Sequence, residues 1–473
     1  MKQIAFSLPV LGLFSFLVGC SSAEKNVKTT NGVHHVREAR SAPIRLKPYR
    51  EVTLENGLKI LFIRDMSLPR VSLNLLVKAG QREEPIEKGG INNLTADLLE
   101  TGTSTKSASQ IADEFADLGT DLSISGGNDA TMITSDCLSN SSEKLLQLFF
   151  EVISSPSFKD TEISRLKAQY VAAIKKRSDD PARMVAVKFE STLFSGHSYE
   201  RSILGDEKSL KKIRKQDIIK HYLSWYRPNN STLAVVGSLT DGLEKKVVET
   251  FKAWPQRKTK KIEDKKLDDF QDFKMKLISK SGLAQTQIRI GQLGVQRQNE
   301  DFLKLRIANE IFGGGFSSRL NQKIRDDLGL TYSIGSSVDA RYDRGAFIVS
   351  TFTKNDSVGK TIDETLKLIE AFATNGVDET ELQAAKNLLI GQFPRAVETA
   401  DRLASNYLYL DFYGVPRSYL VNFNRNVEKV TLEEINNVIK KYYSPKNLRI
   451  VIYGDENVIL EQIKSYNPEI EKL

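Results

Sequence analysis

Four histidines, His34, His35, His197 and His221, and two cysteines, Cys20 and Cys137, are the chain's whole stock of imidazole and thiol. Hydrolytic zinc asks for three protein donors, often two of them one helical turn apart. No two of these histidines are spaced i, i+4. The adjacent pair His34–His35 lies in a polar stretch with no further ligands and nothing to orient the rings. The triple glycine Gly313–Gly315 lacks the Lys-Ser/Thr that a phosphate loop requires, and reads as a helix-ending turn after Phe312. With 68 basic against 60 acidic residues dispersed along 473 positions, no basic stripe with interleaved aromatics appears, and nucleic acid is excluded as a partner. A hydrophobic content of 40% is that of a globular chain, not of a disordered tail or a disulfide-stapled scaffold.

The N-terminus carries a different kind of chemistry. Lys2 precedes an apolar run, Ile4 to Phe16, too short to span a bilayer, and the run ends at Leu17-Val18-Gly19-Cys20. This resembles the bacterial lipobox, which implies removal of residues 1–19, lipidation of Cys20 and, with Ser21 following, sorting to the outer membrane of a Gram-negative cell. Residues 20–45 are polar and aperiodic, as a tether would be. Lipidation leaves Cys137 without a disulfide partner, so it is expected to be a small buried apolar residue.

Length alone suggests about three domains, but internal echoes reduce that to two. Tyr226-Arg227-Pro228-Asn229-Asn230 and Tyr443-Ser444-Pro445-Lys446-Asn447 stand 217 residues apart, each after a helical pattern and before an apolar run ending in glycine. Asp117-Leu118-Gly119 through Ile124 echoes Asp327-Leu328-Gly329 through Ile334 at an offset of 210. A duplicated unit is the economical reading. Asn56-Gly57 predicts a hairpin between Tyr49–Leu54 and Leu58–Ile63. Further strands are expected at Val71–Val77, Asp121–Ile124 and Met132–Leu138. Helices are expected at Ile91–Leu99, Ser107–Leu118 with Ser107 as N-cap, Ser142–Ser154 and Asp160–Lys176. Strands and helices mixed through short connections favour an α+β class over a doubly wound sheet. Between the halves, 256–276 is dense in charge and reads as an exposed linker, with a charged strand at its end as the alternative.

Several segments carry a family resemblance. They are Ala79-Gly80-Gln81-Arg82-Glu83-Glu84-Pro85, Gly89-Gly90-Ile91, Gly102-Thr103, and Gly196-His197-Ser198-Tyr199 through Leu204-Gly205. Gly313 to Leu320 followed by Ile324 to Tyr332 completes the set. Together with both Tyr-x-Pro-x-Asn elements, they resemble the pitrilysin/insulinase (inverzincin) family of zinc peptidases from about residue 45 to the end. The resemblance implies two homologous domains of the pitrilysin/mitochondrial-processing-peptidase-like (α/β roller) type enclosing a chamber. They would be residues 46–255 and 277–473.

The catalytic motif departs from the pattern. In register with Gly90, the expected His-x-x-Glu-His is Asn93-Leu94-Thr95-Ala96-Asp97, with Asn93 and Asp97 in the ligand positions and Ala96 in place of the base. Where the third ligand should stand, Gln169 to Lys176 offers Ala172 and Ala173. No metal is therefore expected in this chain. The second half keeps Arg325 and Tyr332, matching the family's substrate-engaging pair. A phenol can donate to a scissile carbonyl as it becomes an oxyanion, and a guanidinium can hold a neighbouring carbonyl.

The resemblance thus implies a chain that is not a peptidase alone. It would be a zinc-free, substrate-positioning subunit of a heterodimeric periplasmic metallopeptidase, lipid-anchored at the outer membrane. A homologous partner would supply zinc and the general base for a peptide substrate. The alternative is a non-enzymatic envelope binding or scaffold protein that retains the fold.

Overall fold

The computed structural model describes residues 46–257 and 266–472. The leader, the tether with His34 and His35, and Cys20 lie outside the described residues.

Among the described residues, twelve strands form two six-stranded mixed sheets. In the first domain they are β1 (Arg50–Thr53), β2 (Lys59–Arg64), β3 (Arg70–Val77), β4 (Ser123–Gly126), β5 (Thr131–Leu138) and β6 (Ser231–Gly237), ordered β1-β2-β6-β3-β5-β4. In the second they are β7 (Lys274–Ser279), β8 (Gln285–Leu293), β9 (Ile334–Asp339), β10 (Ala346–Lys354), β11 (Arg449–Gly454) and β12 (Glu469–Lys472), ordered β12-β7-β11-β8-β10-β9. Both sequence echoes occupy equivalent places. Each Tyr-x-Pro-x-Asn element makes a short 3-10 turn feeding an interior strand, β6 or β11, which pairs parallel on one side and antiparallel on the other. Each Asp-Leu-Gly echo is a turn with the glycine at positive φ (Gly119, +71°; Gly329, +60°) leading to an edge strand, β4 or β9. The outer edges differ. β1 is joined to β2 by the Asn56-Gly57 hairpin, whereas β12 is the C-terminal segment lying parallel to β7.

The strand expected from Asp121 begins at Ser123 instead. The backbone carbonyl of Asp121 accepts the Ser135 hydroxyl (2.7 Å), so the residues after the Gly119 turn are held by a side chain rather than a ladder. Ser107 caps its helix as expected, in a reciprocal box with Gln110. Of the charged stretch between the halves, 266–273 is irregular chain whose Leu267 and Phe270 pack on the core, and Lys274–Lys276 open β7. Cys137 is a buried free thiol on β5, pushed up to about 11 chiefly by burial.

The two domains exchange helices. The helix Pro181–Leu193, started by Asp180 accepting the Arg183 N–H and by proline at its first turn, belongs to the first half of the sequence. It nevertheless packs on β8 and β11 of the second sheet, burying Val185, Phe189 and Leu193 against Ile278, Leu293, Val451 and Tyr453. Reciprocally, the helix Ala400–Tyr413 packs on β6, β3 and β2 of the first sheet, in one cluster with Leu61, Ile63, Leu76 and Val236. This explains why β3, β6 and β11 are buried nearly throughout while β5 and β10 alternate: the former are covered on both faces.

Candidate functional site

The helix Ile91–Leu98 carries the degenerate motif, and the backbone in front of it is tightly specified. Gly90 has φ +89°, and the pair Gly89–Gly90 crosses Leu204–Gly205 at a distance that admits no Cβ. The Glu84 carboxylate accepts the N–H groups of Gly90 and Asn92 (both 3.0 Å), satisfying donors that the helix start leaves open.

On this helix Ala96 is fully buried, Asn93 is buried with its carbonyl against Gly126, and Asp97 is half-buried. The Asp97 carboxylate is already engaged. It accepts the hydroxyl of Tyr170 (2.5 Å), which comes from the helix Asp160–Lys176 where the third ligand was sought. Burial raises Asp97 above the ordinary carboxylate range, opposed by that hydrogen bond. Asn92 holds His221 (Oδ1 to Nε2, 3.1 Å) and donates to Thr131 (3.2 Å). Burial drives His221 down to about 3, so it stays a neutral packing residue. A neutral amide, an alanine and one carboxylate bound to a phenol do not fit zinc. Among the described residues no group of three or more His, Cys, Asp or Glu is arranged to hold a metal.

Glu83 and Glu84 lie beside this helix, and both are pushed up to about 8 by burial. Arg82 with the Gly80 N–H opposes the shift at Glu83, and the two helix N–H groups oppose it at Glu84. In the folded chain each retains a proton that the unfolded chain, with an ordinary glutamate near 4.5, has released. The folded state therefore binds more protons across this window, and stability falls as pH rises from about 4.5 to 8. Thermal unfolding at pH 5 and pH 8 should show the lower midpoint at pH 8. Glu84→Gln should reduce that difference while weakening the helix start.

Two other segments quoted for the resemblance build a seam between the domains. His197, buried on Tyr199, faces Asp343 of the second domain (Nε2 to Oδ2, 3.3 Å), and Arg82 reaches the same carboxylate (2.9 Å). Asp129 accepts the Tyr199 hydroxyl, the Tyr342 N–H (2.9 Å) and the Tyr413 hydroxyl (3.2 Å). Arg341 is buried over Phe194 and Tyr199 and paired with Glu190 (2.7 Å).

In the second domain, helix Phe302–Asn309 continues as a wide π-helical turn, Glu310–Gly314, so it outlasts the expected end at Phe312. Gly313 lies against Ser336 of β9, where a Cβ would meet the Ser336 hydroxyl at 2.4 Å, so the glycine sets the helix onto the sheet. Arg325 sits on a second π-helical segment, Asn321–Asp327. Such turns recur at functional sites. Its guanidinium makes a two-pronged contact with Asp326 (2.8 and 3.1 Å) and covers the Phe316 ring at 4.2 Å. Tyr332 lies across a turn closed by the Leu330 N–H on the Ile324 carbonyl (3.0 Å). Tyr332 is 83% exposed and Phe316 80%, the two most exposed large apolar side chains among the described residues. Among the described residues nothing holds the Tyr332 hydroxyl, while Thr331 beside it is pinned by Ser333 and Thr351. Tyr332 offers its group to solvent, whereas the Arg325 side chain is only 20% exposed and engaged by Asp326 and Phe316.

Sequence reasoning missed Tyr170, His221, Glu84 and Phe316. Tyr170 stands one residue past Gln169, in the stretch to Lys176 that carries no carboxylate. A tyrosine there, facing an unusual aspartate on the neighbouring helix, was the available signal.

Comparison with known proteins agrees with this geometry. Residues 59–207 match a family model described as insulinase (peptidase family M16), and residues 212–389 match one described as the peptidase M16 inactive domain. A Rickettsia felis protein named an uncharacterized zinc protease is 28% identical over 83% of this chain and 94% of its own length. The non-peptidase homolog YmxG of Helicobacter pylori is 23% identical over 84% and 92%. Among solved structures, a peptidase M16 inactive domain from Pseudomonas fluorescens superposes with a TM-score of 0.80 at 25% identity, covering 86% of this chain and 98% of that one. A protease from Helicobacter pylori shares the fold, with a TM-score of 0.81 at 19% identity, covering 87% and 100%.

Proposed function

We propose, from the premise that the chain belongs to the M16 (insulinase) peptidase family as an inactive homologue, that it is the substrate-positioning subunit of a heterodimeric periplasmic metallopeptidase. A homologous partner supplies zinc and the general base, and the two chains enclose the peptide between them. Lipidation at Cys20 holds this subunit at the outer membrane.

One asymmetry carries the reading. The first domain lacks both histidines and the base, and its one remaining carboxylate at the place is engaged by the Tyr170 hydroxyl, whereas the second presents Tyr332 and the Phe316 ring under Arg325 outward. An exposed phenol and an exposed aromatic ring under a guanidinium are groups that suit an extended peptide. The Arg325–Asp326 pair does not block this role, because a surface ion pair contributes only about 0–1 kcal/mol and exchanges readily for a peptide carbonyl.

Affinity purification of the chain from solubilised outer membranes tests the assembly. Recovery of a homologous chain carrying His-x-x-Glu-His and stoichiometric zinc is expected, with peptidase activity only in the pair. In that pair Arg325→Ala should raise KM about tenfold with a smaller change in kcat, since it loosens a binding contact. An unrelated companion and no zinc would instead make the chain a binding or scaffold protein. Zinc in the purified chain alone would overturn both.

A further inference from the structure

A second charged feature lies away from Arg325 and Tyr332. Arg297, in the connection between β8 and helix Phe302–Asn309, has its guanidinium packed on the rings of Phe302 (4.4 Å) and Tyr419 (4.9 Å). Arg306, on that helix, covers Phe423 (5.5 Å), whose ring stacks on Phe393 (4.2 Å). Neither guanidinium has a carboxylate within ion-pair distance among the described residues. Burial pulls Arg297 below its ordinary value, and the neighbouring charge of Arg306 adds to the effect. A buried cation normally comes with its counter-ion, because desolvation is otherwise uncompensated. Here the aromatic rings take the guanidiniums' faces, and the Tyr419 hydroxyl that lies among them is buried without a hydrogen-bond partner among the described residues.

The guanidinium donors are not sealed in. Arg297 lines two cavities, of about 400 Å³ and about 290 Å³. Arg306 lines the smaller, and Tyr419 lines both. The smaller is walled by Leu389, Phe393, Ala396, Leu410 and Leu420. No carboxylate is in its lining among the described residues; the half-buried Glu310, on the helix's continuation, feels the charge of Arg306 without an ion pair. An arginine fork suits a carboxylate's two oxygens, and apolar walls suit what the carboxylate is attached to.

We propose that Arg297 and Arg306 form an anion site for a carboxylate carried on an apolar body, seated in the smaller cavity, which both arginines line, with its oxygens on the two guanidiniums. The free end of a peptide with an apolar last residue and a short aliphatic acid share this chemistry. The site stands independently of the peptidase assembly, since it needs neither the partner nor Arg325 and Tyr332.

Calorimetric titration of the purified full-length chain with N-acetyl-leucine, N-acetyl-leucinamide, hexanoate and acetate tests it. N-acetyl-leucine or hexanoate should bind at least about tenfold tighter than both the amide, which lacks the charge, and acetate, which lacks the body. Tighter binding of the first identifies a peptide end, and of the second an aliphatic acid. Arg306→Gln should weaken the better acid at least about fivefold, with the thermal midpoint kept, and Arg297→Gln should weaken it more. Because the acid–amide comparison uses the unmodified chain, it holds even if Arg297→Gln misfolds. Equal binding of acid and amide, acetate binding as tightly as the larger acids, or no heat up to about 10 mM ligand would each overturn the proposal.

Discussion

In the reconstituted pair, Tyr332→Phe is expected to lower kcat about a hundredfold while KM changes little. In the proposed role the phenol would contribute one donor to a carbonyl that gains negative charge only as the reaction proceeds, so its loss would be felt in the transition state rather than in binding. The ring would stay and keep its contact with the peptide. Stability provides the control. Tyr332 is 83% exposed and its hydroxyl has no partner among the described residues, so the variant should melt with the parent. An unchanged kcat at an unchanged melting midpoint would remove Tyr332 from the reaction.

Gly205→Ala should be among the most damaging single-methyl changes in the first domain. Gly205 has φ +70°, and a Cβ there would stand 2.1 Å from the Gly89 carbonyl oxygen and 2.8 Å from the Ser209 hydroxyl. The left-handed conformation alone costs an alanine about 1 kcal/mol. The collision is with backbone, which cannot step aside without moving Gly89–Gly90 and the start of helix Ile91–Leu98. The total is expected to reach about 3–4 kcal/mol or more. Gly119→Ala separates the two effects, because Gly119 has φ +71° with nothing within 4 Å of its would-be Cβ. It should cost only the conformational share. Urea unfolding of both variants gives the comparison, and equal losses would show that the crossing is not tight.

Local signals read well where one short stretch determines the outcome. Asn56-Gly57 turns a hairpin, Ser107 caps a helix, and two echoed motifs mark equivalent turns in both domains. These rest on backbone preferences that neighbours reinforce. What could not be read depends on approach in space. Tyr170 meets Asp97 across two helices, and His197 meets Asp343 across two domains, with nothing in either segment's pattern to announce a partner. Helix Pro181–Leu193 carries an ordinary apolar stripe, which says that it is covered but not by which sheet. The loss of zinc donors was legible as missing residue types. The hydrogen bonds that replaced them were not, because a tyrosine in a helix has many uses.

The exchanged helices also set an order of events during synthesis. The first sheet has all its strands once Gly237 has been made, yet Leu61, Ile63, Leu76 and Val236 wait for residues 400–413 to cover them. Meanwhile Pro181–Leu193 presents Val185, Phe189 and Leu193 to a sheet whose β11 is not made until Gly454. Neither domain is self-sufficient, so a fragment ending near residue 255 would display a greasy sheet face and aggregate rather than fold. The nascent chain must remain unfolded, or be held by a chaperone, almost until its C-terminus emerges.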